Sequence, residues 1–274
     1  MRSLYRCLLA GLLLLSGSVS YADDSARYLD EIFPRVSVVK NIAYGEAVGA
    51  DGEKTTLRLD LYAPADDTEK DRAVILFIHG GGFYRGKKSD APMTVLAKNF
   101  ALRGYVTLSI SYRLMASKSD VNADFTRALG MAVADAKTAL KWVAANRSKY
   151  LMDPTRLAIG GGSAGAFTAL AVAYGPGKRS MGDIRIRTVI DFWGGLLNPR
   201  VMELGDPPLI VIHGTADERV PFRFAERLNT RAKKTGIPCE FHALPGAGHA
   251  AWDNRAEYIS WIAPFLYQHV IQAQ

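Results

Sequence analysis

Cysteine is almost absent from this chain. It occurs twice in 274 residues, as Cys7 and Cys239, and the first lies in a segment expected to be removed. A single remaining thiol closes no internal disulfide, so stability must rest on an apolar core and not on covalent staples. Cys239, in "IPCEFHAL", begins a strand pattern and is expected to be a buried, inert thiol and not a nucleophile. Histidine is also scarce, with five residues, and no cluster of His, Asp and Glu has metal-ligand spacing, so no metal is expected. Lysine and arginine form no stripe interleaved with aromatics. "EKDR", "GKKSD" and "RAKKTG" read as solvated turns and helix faces, and no nucleic-acid partner is expected.

A long apolar run occurs at the beginning. Arg2 and Arg6 precede "LLAGLLLLSGSVS", and Ser20-Tyr21-Ala22 supplies a small-x-small cleavage site. The run is short of the roughly 20 apolar residues that span a bilayer, so residues 1–22 read as a secretory signal and not as an anchor. Cys7 precedes the apolar run, the wrong side for lipid attachment. The expectation is export to the periplasm or the medium, with no stable membrane anchor after cleavage. Removing two of the 34 basic residues and no acid leaves 32 against 27, a net charge of +5 on residues 23–274. That stretch is long enough for one domain with a large core.

Within it, short apolar runs alternate with longer helical patterns. "VSVVKNIAY" and "TLRLDLYAP" read as a hairpin, and "AVILFI" (73–78) as a strand buried on both faces. "APMTVLAKNFALRG" reads as a helix closed by Gly104, followed by strand "YVTLSI", helix "DFTRALGMAVADAKTALKWVAANR" and strand "RLAIG". Strands "IRTVIDF", "PLIVIHG" and "CEFHAL", helix "FRFAERLNTRAKKTG" and a final helix "NRAEYISWIAPFLYQHV" complete the order. Such alternation predicts an α/β fold with a mostly parallel central sheet and helices on both faces. Functional groups then gather at the carboxyl ends of the strands.

Four strand ends carry chemistry. "GGGSAG" (160–165) contains Gly161-Gly162-Ser163-Ala164-Gly165, a G-x-S-x-G turn between a strand and a helix. In such a turn the serine backbone takes a strained, usually positive-φ conformation, and flanking side chains would collide, which requires glycine on both sides. "HGGGF" (79–83) ends the "AVILFI" strand, and its glycines free backbone N–H groups to converge on a developing oxyanion. "HGTADERVP" (213–221) places Asp217 at the same edge, and "PGAGHAAW" (245–252) places His249 there. Ser163, Asp217 and His249 thus occur in the order serine, acid, histidine, each after its own strand. A serine hydroxyl is a poor nucleophile unless a base takes its proton, and the base needs an orienting carboxylate.

On these four motifs the chain resembles the α/β-hydrolases of the small carboxylesterase and hormone-sensitive-lipase-like group, from "LDLYAPA" to the final helix. The resemblance implies Ser163 as nucleophile, His249 as general base and acid, and Asp217 as orienting acid. It implies an oxyanion hole of the Gly81, Gly82 and Ala164 N–H groups, and no cofactor. It implies ester hydrolysis through an acyl-enzyme, and the absence of room for a large cap favours short-chain or soluble small-molecule esters, or ester groups on a larger carbohydrate, over long-chain lipids. Two features depart from the hormone-sensitive-lipase pattern. Gly162 stands where those relatives usually carry an acid, and "GGLLNPRVMELGDP" is too short for a helical cap domain. "HGTADERVP" is closer to small esterases, feruloyl- and acetyl-esterase-like proteins and prolyl-oligopeptidase catalytic domains. A serine exopeptidase or amidase with the same triad, and a catalytically silent binding protein of this fold, are the competing readings.

Other residues are weighed by position. Phe83, Tyr84, Trp193 and Trp252 follow strand ends at the expected site, where lining the substrate pocket and packing the core are both open. Asp191, within or at the end of a strand, and Asp206, before one, are rival acids at less suitable positions. Glu218 is the nearest rival to Asp217. His79 and His213 are expected to hold loops by bonding backbone, His242 to be a satisfied strand residue, and His269 to be exposed. Arg113, in "SYRL", is expected to be structural. The 115–124 loop or the segment "DDSARYLDEIFPRV" are candidate covers for the pocket.

Overall fold

The computed structural model describes residues 27–178 and 181–273; the expected signal segment lies outside them. Eight strands form one sheet: β1 (Val36–Val48), β2 (Lys54–Pro64), β3 (Arg72–Ile78), β4 (Val106–Ile110), β5 (Met152–Gly162), β6 (Ile186–Phe192), β7 (Leu209–Gly214) and β8 (Cys239–Leu244). Their spatial order is β1-β2-β4-β3-β5-β6-β7-β8. β1 pairs antiparallel with β2 and β2 antiparallel with β4, while every pairing from β4 to β8 is parallel.

Period-two alternation along β3 sends its residues into two cores. Val74, Leu76 and Ile78 face one core with α3 (Phe125–Ala145), α5 (Ala164–Tyr174) and α6 (Arg223–Thr235). Ala73, Ile75 and Phe77 face the other, with α1 (Ala91–Ala101) and α7 (Arg255–Leu266). The remaining helices are short: α2 (Lys118–Ala123) and α4 (Arg147–Tyr150). All seven residues of β3 are buried, which is why its sequence is an unbroken apolar run and not an alternation. In α3, Ala128, Ala132, Ala136, Ala139, Leu140 and Val143 are buried at three- and four-residue spacing, the apolar stripe of a helix lying on a core. Asp124 caps α3 by accepting from the Arg127 N–H, and Gly236, at φ 72°, ends α6 in the left-handed conformation.

Arg113 is paired as expected of a structural residue. Its guanidinium binds Asp135 of α3 at 2.7 and 2.9 Å and the Val48 carbonyl oxygen at 2.8 Å, tying the loop after β4 to the hairpin and to α3. His242 bonds Glu240 at 2.6 Å and stacks on Trp261 at 3.8 Å.

Four expectations need correction. β5 begins at Met152, four residues before "RLAIG", because Met152 pairs with Arg72 across a register shift. The final helix gives way at Leu266 to a π-turn over Tyr267–Ile271. In that turn His269 is half-buried against the Phe265 ring at 4.5 Å, not exposed. Cys239 is half-buried and not fully buried, since β8 is an edge strand; its surroundings still push the thiol up to about 12, which keeps it protonated.

Candidate active site

Four of the positive-φ non-glycine residues, Phe83, Ser163, Trp193 and Ala250, stand just after strands at the carboxyl edge of the sheet. After β5, Ser163 adopts φ 55° and ψ −119°. A methyl group on Gly161 or Gly165 would collide with the carbonyl oxygen of Ile78 in β3. The two glycines therefore let the turn close against the neighbouring strand, and the serine must carry the positive φ. Its N–H donates to the Phe192 carbonyl oxygen at 2.9 Å, fastening the turn to the end of β6.

His249 connects this serine to the acid. Ser163 Oγ lies 3.0 Å from His249 Nε2, and His249 Nδ1 lies 2.7 Å from Asp217 Oδ2. With a neutral ring, the hydroxyl donates to Nε2 and Nδ1–H donates to the carboxylate. Asp217 is 5% exposed. Its Oδ1 accepts the N–H groups of Arg219 and Val220, each at 2.9 Å, so the buried carboxylate is held within its own loop. The rivals stand elsewhere. Asp206 accepts from Lys178 Nζ at 2.6 Å and from the Glu203 N–H at 2.8 Å, ahead of β7. Asp191, inside β6 and fully buried, accepts from the Gly194 N–H at 2.8 Å. Glu218 is exposed and lines the cavity mouth.

Facing the serine, Gly81 and Gly82 take φ 111° and 63° after β3. No backbone or side-chain acceptor among the described residues takes their N–H groups. Ala164 is the first residue of α5, so its N–H also lies outside the helical ladder. The helix dipole adds partial positive charge at the same point. His79 holds the glycine loop from below: its ring is buried, bonds the Gly80 carbonyl oxygen at 2.6 Å and stacks on Tyr112 at 4.4 Å. Burial lowers its pKa, so the ring is neutral.

These groups open onto a cavity of about 1200 Å³. Phe83, Tyr84, Trp193 and Trp252 all line it, and Phe83 and Trp193 are also core residues, 2% and 1% exposed. Lining and packing are thus not alternatives here. Trp193 and Trp252 meet edge to face at 4.5 Å. A Cβ at position 162 would stand 3.0 Å from Trp252 and 3.4 Å from Trp193 Nε1. The indole pair stands close beside Gly162, so a side chain before the serine would have to push an indole aside.

Sequence reasoning did not single out Phe125 and Phe167, which line the opposite wall in edge-to-face contact at 5.8 Å, nor Val121 and Asn122 of α2. For Phe167 a signal existed: four residues after Ser163 in a helix, it shares the face of the nucleophile turn. The 115–124 loop lines the cavity through α2. The described part of the N-terminal segment does not: Tyr28 donates its N–H to the Arg103 carbonyl oxygen, beyond α1. Between β6 and β7 lies only one 3-10 turn, Pro199–Val201, and no cap domain among the described residues. No helix among them is long and apolar enough to cross a membrane.

Comparison with known proteins gives matches over most of this length. The BD-FAE family matches residues 59–196, and the prolyl oligopeptidase family matches residues 197–270. Among solved structures, esterase 2 of Thermogutta terrifontis phosphorylated by paraoxon is 26% identical, with a TM-score of 0.69 over 88% of this chain and 96% of that one. The butyrate-bound form is 25% identical, with a TM-score of 0.68 over 90% and 98%. Among curated proteins, esterase LipC of Mycobacterium tuberculosis is 24% identical over 245 residues, 72% of this chain and 58% of that protein. Para-nitrobenzyl esterase of Bacillus subtilis is 29% identical over 154 residues, 55% and 30% respectively. The chain therefore spans less than two thirds of the length of these two curated relatives.

Proposed function

This chain belongs to the BD-FAE family, within the α/β-hydrolase carboxylesterases, and from that membership and the site geometry we propose that it is a serine hydrolase of carboxylic esters. The observation that carries the reading is the unbroken hydrogen-bonded line from Asp217 through His249 to Ser163. Ser163 Oγ attacks the ester carbonyl carbon as its proton passes to His249 Nε2. The oxygen that gains charge is received by the N–H groups of Gly81, Gly82 and Ala164, donors worth roughly 3–4 kcal/mol each when preorganised. The same His249 proton then goes to the departing alcohol oxygen, leaving an acyl-serine. Water attacks that acyl carbon as its proton passes to His249; the bond from that carbon to Ser163 Oγ then breaks, His249 returns the proton to Oγ, and the acid leaves.

The substrates proposed are short-chain or soluble small-molecule esters. Support comes from the uncapped cavity, walled by Trp193 and Trp252 on one side and Phe83, Phe125 and Phe167 on the other, and from the butyrate-bound form of a relative. Export, with residues 1–22 as the signal, belongs to the same proposal. A second reading, an exopeptidase or amidase using the same residues, is favoured by one observation, the prolyl oligopeptidase match over 197–270. That match covers the acid and the histidine; the half holding Ser163 and the glycine loop matches BD-FAE.

Labelling with a fluorophosphonate followed by peptide mass spectrometry tests the nucleophile, and a panel of acyl esters beside aminoacyl amides tests the class. The expected result is a single adduct on Ser163 and turnover of acetyl to butyryl esters well above any amide. Efficient amide cleavage with slow ester cleavage would replace the esterase by the peptidase. No adduct and no turnover would leave a binding protein.

A further inference from the structure

His213 lies in β7, four residues before Asp217, and its side chain is wholly buried. Its Nε2 stands 2.8 Å from the Val220 carbonyl oxygen and 3.3 Å from Asp217 Oδ2. Both neighbours only accept, so Nε2 carries the proton and Nδ1 the lone pair. Nδ1 is buried with no hydrogen-bond partner. The ring is retained, then, for one donor and for its packing against Phe222 at 5.8 Å. Three groups act on its ionisation besides burial, which lowers it most: the Val220 carbonyl and Asp217 raise it and His249 lowers it, and the net direction is down. His213 is therefore a neutral donor beneath a carboxylate.

Val220 is where the network closes. Its N–H donates to Asp217 Oδ1 at 2.9 Å, and its carbonyl oxygen accepts from His213. The carboxylate is thereby surrounded: Arg219 and Val220 N–H groups on Oδ1, His249 and His213 on Oδ2. Take away the His213 donor, and Val220 loses its tie to β7 while Oδ2 keeps His249 alone. We infer that His213 is a positioning residue for the proposed reaction, aiming Asp217 Oδ2 at His249 by anchoring Val220 and flanking the carboxylate from beneath. The inference rests on the reading of Ser163, His249 and Asp217 as the catalytic line.

The test uses three substitutions that differ in reach. Glutamine places an amide N–H about as far from Cα as histidine Nε2, asparagine is one methylene shorter, and leucine has no donor. The measurements are kcat and KM on a short-chain p-nitrophenyl ester, the pH profile of kcat/KM, and thermal melting. His213→Leu should lower kcat by roughly tenfold or more with KM little changed, as for an interaction expressed in the transition state. The acidic limb of kcat/KM should move to lower pH, because a less well aimed carboxylate supports the protonated imidazole less. His213→Gln should keep most of kcat and the wild-type limb, while His213→Asn should fall with the leucine variant.

A folded His213→Leu enzyme with unchanged kcat and an unmoved limb would overturn the inference. So would equal behaviour of the glutamine and asparagine variants, a comparison that decides the matter even where His213→Leu fails to fold. A wild-type protein that takes no fluorophosphonate and turns over no ester would remove the esterase reading and this inference with it. That result is distinct from an active enzyme indifferent to His213.

Discussion

On the β3–β5 side of the site two glycines let the nucleophile turn press on backbone, and on the β7–β8 side, where Gly214 is pressed on Ala247 in the same way, the acid and the histidine are held in addition by hydrogen bonds. Gly161 and Gly165 lie against the Ile78 carbonyl with no room for a methyl group, and Ser163 takes the positive φ that this packing imposes. Across the cavity, Asp217 is fixed by N–H donors from Arg219, Val220 and His249. His249 itself sits between Gly248 and Ala250, the latter at φ 62°. Repulsion rises steeply as atoms close below contact distance, whereas hydrogen bonds bend and lengthen at modest cost. The nucleophile and oxyanion donors are thus held in the rigid half, and the base that must serve two oxygens in turn is held in the compliant one.

Substitutions on the rigid side are expected to have the largest effects. Ser163→Ala removes only an oxygen atom, so folding should be intact while kcat falls by roughly 10⁵–10⁶-fold. Circular dichroism beside steady-state kinetics checks this, and turnover near wild type would end the serine mechanism. Gly165→Ala attacks the same half through its shape. The added methyl meets backbone, which cannot rotate away, so a stability loss of about 1–3 kcal/mol or more is expected, with displacement of Ser163. Urea unfolding together with fluorophosphonate labelling rate measures both parts. A variant of normal stability that labels normally would mean that contact does not hold this turn.

On the hydrogen-bonded side the response should be graded. Asp217→Asn keeps the shape but leaves His249 without its charged partner and in the wrong tautomer, and kcat should drop by roughly 10⁴-fold. Glu218→Gln, one residue on and exposed, should change little. The reverse pattern would transfer the role of acid to Glu218.

The sequence made the rigid half more legible than the compliant one. "AVILFI" and the glycines of "GGGSAG" have local causes: a strand buried on both faces must be apolar throughout, and a turn pressed on backbone must be glycine. Arg113 was readable as structural, but its partner Asp135 was not, because 22 residues and the packing of α3 intervene. Helix α2 escaped notice because "KSDVNA" has no apolar period. It is six residues long, buries Val121 alone, and is started by the Ser117 side chain accepting from the Asp120 N–H. Its contribution to the cavity wall comes from tertiary packing, as does that of Phe125. Gly162 read as a departure from a family pattern. The two indoles crowded beside it come from the residue after β6 and from the segment after β8, and that crowding becomes visible only when those ends meet.

Between the two halves runs β6, and its Asp191 gives the smallest expected effect on turnover and, through stability, a test of whether the junction is electrostatically neutral. The side chain is fully buried, Oδ1 accepts from Gly194, and Oδ2 has no partner. Burial pushes its carboxyl from 3.8 up to about 7, the Gly194 N–H only partly opposing this. Tyr174 and Cys239, both of which feel this carboxyl, are themselves raised chiefly by burial and stay protonated across that interval. Between pH 3.8 and about 7 the folded chain therefore holds a proton that the unfolded chain has released. Unfolding releases it, so this group makes stability fall as pH rises through the interval, by at most about 1.4 kcal/mol per pH unit, and level off above it. Asp191→Asn keeps the acceptor for Gly194 and cannot ionise. Urea unfolding from pH 4.5 to 8 should show the wild type losing stability relative to this variant with rising pH, the difference growing up to about pH 7 and then constant. Parallel curves over the whole range would mean that Asp191 is ionised in the folded protein, and that the junction between the rigid and compliant halves carries a buried charge.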